Sequence, residues 1–241
     1  METTEDEVVV EHELDIVWNG RTVIRLSCTP QHLAELTGGF LLTSGYVNHK
    51  SDIELLRVSE CGSRAEVETA PGSVTTVFDW PVQSDGCLSR PVPRLSQLEA
   101  VTRCGRIDSD AVKSFMLALQ ASSQIFRATG GTHVAALGRD DGGLSCACED
   151  IGRHNAVDKV AGMMMLQDAQ GVALALSGRI SSDIVQKAAR MGLPLIVSRS
   201  APTRAAIELA QQTGITMVGF ARGQRFNVYG HPQRIIGADN P

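Results

Sequence analysis

The amino-acid sequence predicts an α/β protein, with a smaller, strand-rich mixed domain over residues 1–95 and a larger α/β domain over residues 96–241. The chain has 241 residues, which is enough for one large or two small domains with a real core. In the first part, apolar and polar residues alternate as they do in half-buried strands. In the second part, short runs of Val, Leu and Ile alternate with helical spacing. That alternation is typical of a largely parallel sheet covered by helices on both faces.

The N-terminal domain is predicted from strand and turn patterns. Apolar residues at alternate positions between Val8 and Ile16 predict a first strand. Asn-Gly at residues 19–20 predicts a hairpin turn into a second strand at residues 22–28, because both residue types tolerate positive φ. Two shorter strands near residues 53–58 and 74–80 and a linker or long loop at residues 81–93 complete the domain.

Thr29 and Pro30 predict the start of a helix, as N-cap and first helical residue. The apolar side of this helix would carry Leu33, Leu36 and Phe40, which follow one another at helical spacing.

The larger domain is predicted to consist of alternating helices and strands. Its helices are expected at residues 112–126, 154–167, 183–190 and 203–212, and its strands at residues 133–137, 144–147, 172–176, 195–197 and 215–220. Loops that follow parallel strands gather at one edge of the sheet and commonly build the ligand site there.

Composition and charge narrow the classes of function. The chain is 43% hydrophobic and carries a net charge of −5, so it has no basic excess for binding nucleic acid. Its longest apolar runs fall far short of the roughly 20 residues that a membrane-spanning helix needs. The first residues are acidic, unlike the basic start of a signal peptide. We therefore expect a cytoplasmic protein without nucleic-acid or membrane partners.

Five loops at predicted strand ends are rich in Gly, Ser, Thr and Arg. Glycine lets backbone N–H groups approach an anion, Ser or Thr at a helix start leaves donors free for phosphate, and Arg adds a forked cation. Turn formation and helix capping explain any one such loop, but five together favour a phosphate-bearing ligand, such as a nucleotide or a nucleotide-containing cofactor. None has the glycine pattern of a nucleoside triphosphatase or a dinucleotide-binding dehydrogenase. The loops are residues 129–133, 149–155, 177–181, 198–203 and 219–225.

Two histidines lie beside these loops. His133 and His154 could be hydrogen-bonding or capping residues, but the polar neighbours of His154 favour a place in the site. Asp158 follows His154 by four residues, so the two are expected to share a helical face.

The six cysteines include no Cys-x-x-Cys pair, which argues against structural zinc. Cys104 is the candidate nucleophile, because Arg103 and Arg106 would favour its thiolate and Gly105 would loosen its backbone. Cys61 has a similar setting beside a glutamate and ranks lower. Cys146 and Cys148 alternate along a predicted strand and are expected to pack on one face.

Ordered motifs across the chain resemble the FdhD/NarQ family, the accessory sulfurtransferases of formate dehydrogenase. In the first part the match includes Trp-Asn-Gly at 18–20, Thr-Pro at 29–30 and Gly-Phe-Leu at 39–41. In the second part it covers Gly-Gly-x-His at 130–133, Glu-Asp-Ile-Gly-Arg-His-Asn-Ala-Val-Asp-Lys at 149–159, Ser-Gly-Arg-x-Ser at 177–181, Ser-x-Ser-Ala-Pro-Thr at 198–203 and Gly-Phe-x-Arg at 219–222.

The resemblance implies a function. Such proteins accept sulfur from a cysteine desulfurase as a cysteine persulfide. They pass it to the molybdenum or tungsten bis(molybdopterin guanine dinucleotide) before that cofactor enters formate dehydrogenase. The resemblance also implies a cytidine-deaminase-like larger domain, a homodimer, and binding of GDP as a fragment of the cofactor. The deaminase zinc signature is absent from the sequence, so deamination is not implied.

The resemblance, together with the loop chemistry, nominates the site residues. Cys104 is the expected catalytic residue, and no metal ligands are expected. The expected cofactor-binding residues are Phe220, Ala221, Arg222, Gly223, Gln224, Arg225, Gly130, Gly131, His133, Asp150, Gly152, Arg153, His154, Asn155, Lys159, Gly178, Arg179, Ser200 and Thr203.

The sequence departs from the family pattern at three positions. Many members carry Cys-Gly-x-Cys-Gly, whereas here Cys104 matches the first cysteine and Ile107 stands at the second. Cys148 stands where an arginine usually precedes Glu-Asp, and Ser44 replaces a common glutamate. The missing second cysteine keeps an alternative open, namely a chaperone that binds and delivers the pterin cofactor without transferring sulfur.

Overall fold

The computed structural model describes residues 5–71, 100–101 and 105–237. The predicted strand at residues 74–80, the linker at 81–93, the domain boundary near residue 95 and Cys104 all lie outside these ranges. The two-domain division therefore stays a prediction.

The N-terminal part forms a four-stranded sheet of order β2-β1-β4-β3. The predicted hairpin is confirmed, because Asn19 and Gly20 have φ of 47° and 78° at the turn between antiparallel β1 and β2. The first strand begins at His12, later than predicted, and Val8 and Val10 before it are exposed. The strands are β1 (His12–Trp18), β2 (Arg21–Cys28), β3 (Ile53–Val58) and β4 (Arg64–Thr69).

The predicted helix exists as α1 (Leu33–Thr43), but the predicted cap is wrong. His32, in a left-handed conformation, precedes the helix without a side-chain cap. Thr29 is buried, and its hydroxyl bonds to the Lys159 ammonium at 2.7 Å. Thr29 therefore bonds to a residue distant in the chain and does not cap α1.

The larger part contains a six-stranded sheet of order β11-β10-β9-β8-β6-β7. The prediction of a largely parallel sheet is wrong. Only β8–β9 and β9–β10 pair in parallel; β6 runs antiparallel to both β7 and β8, and β10 and β11 form a hairpin. The strands are β6 (His133–Gly138), β7 (Leu144–Asp150), β8 (Ala173–Leu176), β9 (Leu195–Ser198), β10 (Thr216–Arg222) and β11 (Arg225–Tyr229).

Helices cover both faces of this sheet. One face packs against α2, with Val134, Ala136 and Val197 in that core; the other packs against α4, α5 and α6. A short pair, β5 (Ile107–Asp108) with β12 (Ile235–Ile236), leads into α2 and places Ile107 in the core. The helices are α2 (Ser109–Ser122), α3 (Gln124–Thr129), α4 (Arg153–Leu166), α5 (Ser182–Arg190) and α6 (Arg204–Thr213). No helix among the described residues is long and apolar enough to span a membrane.

Helices α1 and α4 cross with their backbones in contact. A Cβ added to Gly39 would lie 1.7 Å from the Asp158 carbonyl oxygen, and one added to Gly162 would lie 1.9 Å from the Glu35 carbonyl oxygen. One continuous core therefore joins the four-stranded sheet, α1, α4 and one face of the larger sheet.

The pairing of β6 and β7 brings the motif loops to one edge. His133 at the start of β6 lies opposite Asp150 at the end of β7, and β8, β9 and β10 end at the same edge. The loops do meet as predicted, although the loop at 129–133 precedes its strand because β6 is antiparallel to β8.

Candidate functional site

A pocket of about 560 Å³ opens at this edge of the sheet. One wall comes from α2, α3 and the glycine loop that follows α3, and the other from the loops after β8, β9 and β10. The lining residues are Leu119, Gln120, Ser123, Phe126, Arg127, Gly130, Gly131, Thr132, His133, Val134, Ser177, Arg199, Ser200 and Arg222. The five predicted residues among them are Gly130, Gly131, His133, Ser200 and Arg222.

Three arginines give the pocket a cationic lining. Within the described residues, Arg127 and Arg199 have no side-chain hydrogen bond or ion pair. Arg222 Nε donates to the Arg199 carbonyl oxygen at 2.8 Å, which leaves the rest of its guanidinium for other partners. With no carboxylate in the lining, the pocket is suited to an anion.

The predicted segment 220–225 is the tip of the β10–β11 hairpin, where sequence analysis expected a loop after the last strand. Phe220 has φ of 53°, a conformation that is rare for an aromatic residue, and its N–H donates to the Ser200 carbonyl oxygen at 3.0 Å. The bonds from Phe220 and Arg222 fix the hairpin to the loop after β9. Ala221 is buried, whereas Phe220, Arg222, Gly223, Gln224 and Arg225 are exposed.

Glu149 organises the opposite wall and is not among the residues predicted for the site. One of its carboxylate oxygens accepts the Ile125 N–H at 2.8 Å; the other accepts the Phe126 N–H at 2.8 Å and the Thr132 hydroxyl at 2.7 Å. The carboxylate thus fixes the first turn of α3 and the end of the glycine loop to each other. A carboxylate just after a predicted strand, beside Asp150, was the only sequence pattern that could have indicated this role.

Arg153 and Arg179 form a second cationic group beside the pocket, next to His133. A Cβ added to Gly178 would lie 3.3 Å from Arg153 Cβ and 3.5 Å from His133 Nδ1, so this glycine lets the two side chains come together. Burial lowers the pKa of His133, and the positive charges of Arg153 and Arg179 lower it further. Neutral His133 can therefore donate one hydrogen bond and accept another at neutral pH.

Four predicted residues form a buried network beneath the pocket. The Asp150 carboxylate accepts from the Gly152 N–H at 2.9 Å, from the Asn155 amide at 2.8 Å and from the Thr29 N–H at 3.0 Å. Lys159 Nζ lies 2.7 Å from the same carboxylate, with both side chains fully buried. Their predicted contact with a cofactor stays a prediction. Burial gives them a positioning role, because the network holds the loop at 149–155 to the end of β2.

His154 and Asp158 lie four residues apart on α4, as predicted, and contact different neighbouring helices. Asp158 is buried and accepts from Lys187 Nζ at 2.5 Å and from the Thr43 hydroxyl at 2.7 Å, which ties α4 to α5 and α1. His154 Nε2 instead lies 3.8 Å from an Asp183 carboxylate oxygen at the start of α5.

Ser200 and Thr203 belong to the loop between β9 and α6. Ser200 lines the pocket, and its N–H donates to the Ser198 hydroxyl at 3.0 Å. The Thr203 side chain caps α6 by accepting the Ala206 N–H at 3.2 Å.

The described cysteines divide into three protected thiols and an exposed one. Burial raises the pKa of Cys28 and of Cys148 to about 12 and also raises that of Cys146. The predicted packing role of Cys146 and Cys148 agrees with their burial in the core. Cys61 is exposed, and hydrogen bonds with the Ser63 and Ser59 hydroxyls lower its pKa to about 7.

Cys104 lies outside the described residues, but Gly105 beside it is described. A Cβ added to Gly105 would lie 2.8 Å from Pro194 Cγ, just before β9 begins, whereas the pocket opens where β9 ends. The four residues of β9 therefore separate Gly105 from the pocket edge by about 13 Å, at the usual rise per residue. Arg106, expected to favour the Cys104 thiolate, donates to the Gln233 carbonyl oxygen at 3.4 Å.

The fold and the pocket define a mixed α/β protein with a basic, glycine-lined site at one edge of its sheet. The chain belongs to the FdhD/NarQ family, whose model matches residues 9–236. It is 37% identical over 238 residues to the sulfur carrier protein FdhD of Bacillus pumilus strain SAFR-032, a match that covers 95% of this chain and 90% of that protein. The sulfur carrier protein FdhD of Sulfolobus acidocaldarius is likewise 37% identical over 238 residues, with coverage of 97% and 92%.

A solved structure has the same fold. The crystal structure of a protein from Desulfotalea psychrophila, described as a formate dehydrogenase accessory protein, superposes with a TM-score of 0.81. The two chains are 30% identical, and the match covers 96% of this chain and 91% of the other. The cytidine-deaminase-like description of the larger domain stays a prediction.

Proposed function

We propose that this protein is a sulfur carrier for a formate dehydrogenase. In this role it takes persulfide sulfur from a cysteine desulfurase and passes it to the bis(molybdopterin guanine dinucleotide) cofactor, acting as a cytoplasmic homodimer. The observation that carries the proposal is the pocket, where Arg222, Gly130 and Gly131 from family motifs meet two further arginines, Arg127 and Arg199, in a space of about 560 Å³. Its relatives are named as sulfur carriers, which supports the same role.

The pocket would bind the dinucleotide as its substrate. Arg199 and Arg222 would pair with the phosphates, while the backbone of Gly130 and Gly131 could approach them closely. Phe126 on the opposite wall offers an aromatic surface for a base. Beside the pocket, Arg153 and Arg179 could meet a further anionic group.

Cys104 would carry the sulfur. Its thiolate would attack the outer sulfur of the desulfurase persulfide, so that a new S–S bond forms at Cys104 and the desulfurase cysteine leaves as a thiolate. This exchange needs no external electrons. Release of the outer sulfur as sulfide needs two electrons, which a second thiol would supply by forming a disulfide with Cys104; this thiol is either a neighbouring cysteine or an external small thiol.

Ile107 cannot be that second thiol, and its burial in the core explains why a hydrophobic residue suits the position. This departure favours the alternative, a chaperone that binds the cofactor and delivers it without transferring sulfur.

The deciding experiment maps the sulfur. Incubation with a cysteine desulfurase and labelled cysteine, followed by mass mapping, should place the persulfide on Cys104. The Cys104→Ala protein should keep its fold and GDP binding but fail to activate a formate dehydrogenase. Cys61→Ala is the matched control, because Cys61 is an exposed thiol with a low pKa. Full activation by Cys104→Ala would favour the chaperone, and label on Cys61 alone would move the carrier to that residue.

Binding of GDP tests the pocket separately. The Arg222→Ala, Arg225→Ala double variant should lose GDP affinity with only a small change in its unfolding transition, since both side chains are exposed and Arg222 gives up one hydrogen bond, to the Arg199 carbonyl oxygen. Equal affinity in the variant and the parent protein would exclude the hairpin tip as a phosphate-binding site.

A further inference from the structure

The N-terminal segment that precedes β1 contacts the glycine loop of the pocket. The Val9 side chain packs directly on Gly131, because a Cβ added to that glycine would lie 2.5 Å from Val9 Cγ1. Gly131 lines the pocket. The residues on either side of Val9 face solvent, with Val8 79% and Val10 62% exposed. We call residues 5–11 the N-terminal arm.

The arm is weakly attached. No hydrogen bond or ion pair joins residues 5–11 to the rest of the described chain. It packs on the pocket loop through the Val9 side chain, which lies on Gly131. A segment without hydrogen bonds to its neighbours opens readily.

The arm is also acidic, opposite in sign to the pocket that it borders. Glu5, Asp6, Glu7 and Glu11 are all exposed. Along the chain, Glu7 lies up to about 7 Å and Glu5 up to about 14 Å from Val9. The arm therefore brings negative charge close to the glycine loop that Val9 contacts.

We propose that the N-terminal arm is an acidic strap that competes with anionic ligands for the pocket. In the free protein, Val9 holds the strap on Gly131, and its carboxylates lower the positive potential at the pocket without forming ion pairs with the arginines. An anionic ligand displaces the strap, so weak or singly charged anions are excluded in favour of polyphosphate groups. This inference rests on the proposed function in one respect, namely that the pocket binds a phosphate-bearing ligand.

Charge neutralisation tests the strap. The Glu5→Gln, Asp6→Asn, Glu7→Gln triple variant should bind GDP about five-fold more tightly than the parent protein at low salt, and the gain should disappear at high salt. A matched control, Glu54→Gln, Glu68→Gln, Asp140→Asn, removes the same charge from exposed positions that do not line the pocket. Val9→Ser keeps every charge but loosens the contact, and should give a smaller gain.

A second measurement follows the strap itself. Methyl NMR signals of Val9 should move to free-chain positions as GDP saturates the protein. Equal GDP affinity in the triple variant and its control, or Val9 signals that stay unchanged at saturation, would overturn the strap while leaving the proposed function intact. Absence of GDP binding in every protein, parent included, would overturn both.

Discussion

The polar residues at the ligand edge of the sheet fall into two groups that differ in burial. Beneath the pocket, Asp150 and Lys159 are fully buried, and each is held by several partners. At the rim, Arg127 and Arg199 are without side-chain partners among the described residues. Charges satisfied inside the protein position loops, whereas charges left at the surface can bind a ligand. Membership of a family motif therefore does not by itself make a residue a ligand contact.

Removal of the buried Asp150 carboxylate should have the largest effect and tests whether this residue supports the fold. Asp150→Ala leaves the Lys159 ammonium buried without its counter-ion, so the free energy of unfolding should fall by about 3–5 kcal/mol. Urea unfolding measures this. Asp183→Ala, at an exposed carboxylate, should change stability by less than about 0.5 kcal/mol. A small stability loss with complete loss of GDP binding would instead make Asp150 a ligand contact.

Glu149 lies between the two groups, so its replacement should affect both the stability of the protein and its GDP binding. Glu149→Gln removes a charged acceptor from two backbone N–H groups and a hydroxyl, which should lower the free energy of unfolding by about 2 kcal/mol. Because α3 then loses its anchor, GDP affinity should fall several-fold at a temperature where the protein remains folded. Glu208→Gln, in an exposed ion pair on α6, is the matched control. Unchanged GDP affinity would limit Glu149 to a stabilising role.

Substitutions of the rim arginines should show the opposite behaviour, a loss of GDP binding with little loss of stability. Arg222 lines the pocket and Arg225 does not, although both are exposed on one hairpin. Arg222→Ala should weaken GDP binding about ten-fold, or about 1.4 kcal/mol, and Arg225→Ala should weaken it less. Titration calorimetry separates the two variants. A larger effect from Arg225 would place the phosphates outside the pocket, at the hairpin tip.

The smallest expected effect is a pH dependence from His133. Its pKa is lowered, so His133 is neutral at pH 7 and gains a proton only as the pH falls below about 6.5. Protonation adds a cation to the pocket, and GDP affinity should rise a few-fold between pH 7 and 5.5. In the same range, the contribution of His133 to stability should fall, because the unfolded chain binds the proton more readily. His133→Gln corrects for titration of GDP itself, and identical pH profiles in the two proteins would refute the contribution of His133.

Much of the local structure followed from local sequence. The Asn-Gly turn at 19–20, the helical spacing of α4 and the apolar runs of β8 and β9 predicted their elements within a few residues. These patterns depend on interactions between neighbours, which the sequence contains directly. The Thr29 cap failed because its partners, Asp150 and Lys159, are more than a hundred residues away.

By itself, the sequence determined that the chain is α/β, which of its loops are rich in glycine and arginine, and which family its motifs resemble. Periodicity and motif order are properties of neighbouring residues and need no folded chain. Only the tertiary structure decided that the sheet is mixed, that Asp150 and Lys159 support the pocket from beneath, that Glu149 anchors one wall, and that Val9 lies on Gly131. Each of these depends on strand pairing or burial, which are set when distant segments compete for the same partners and the same space.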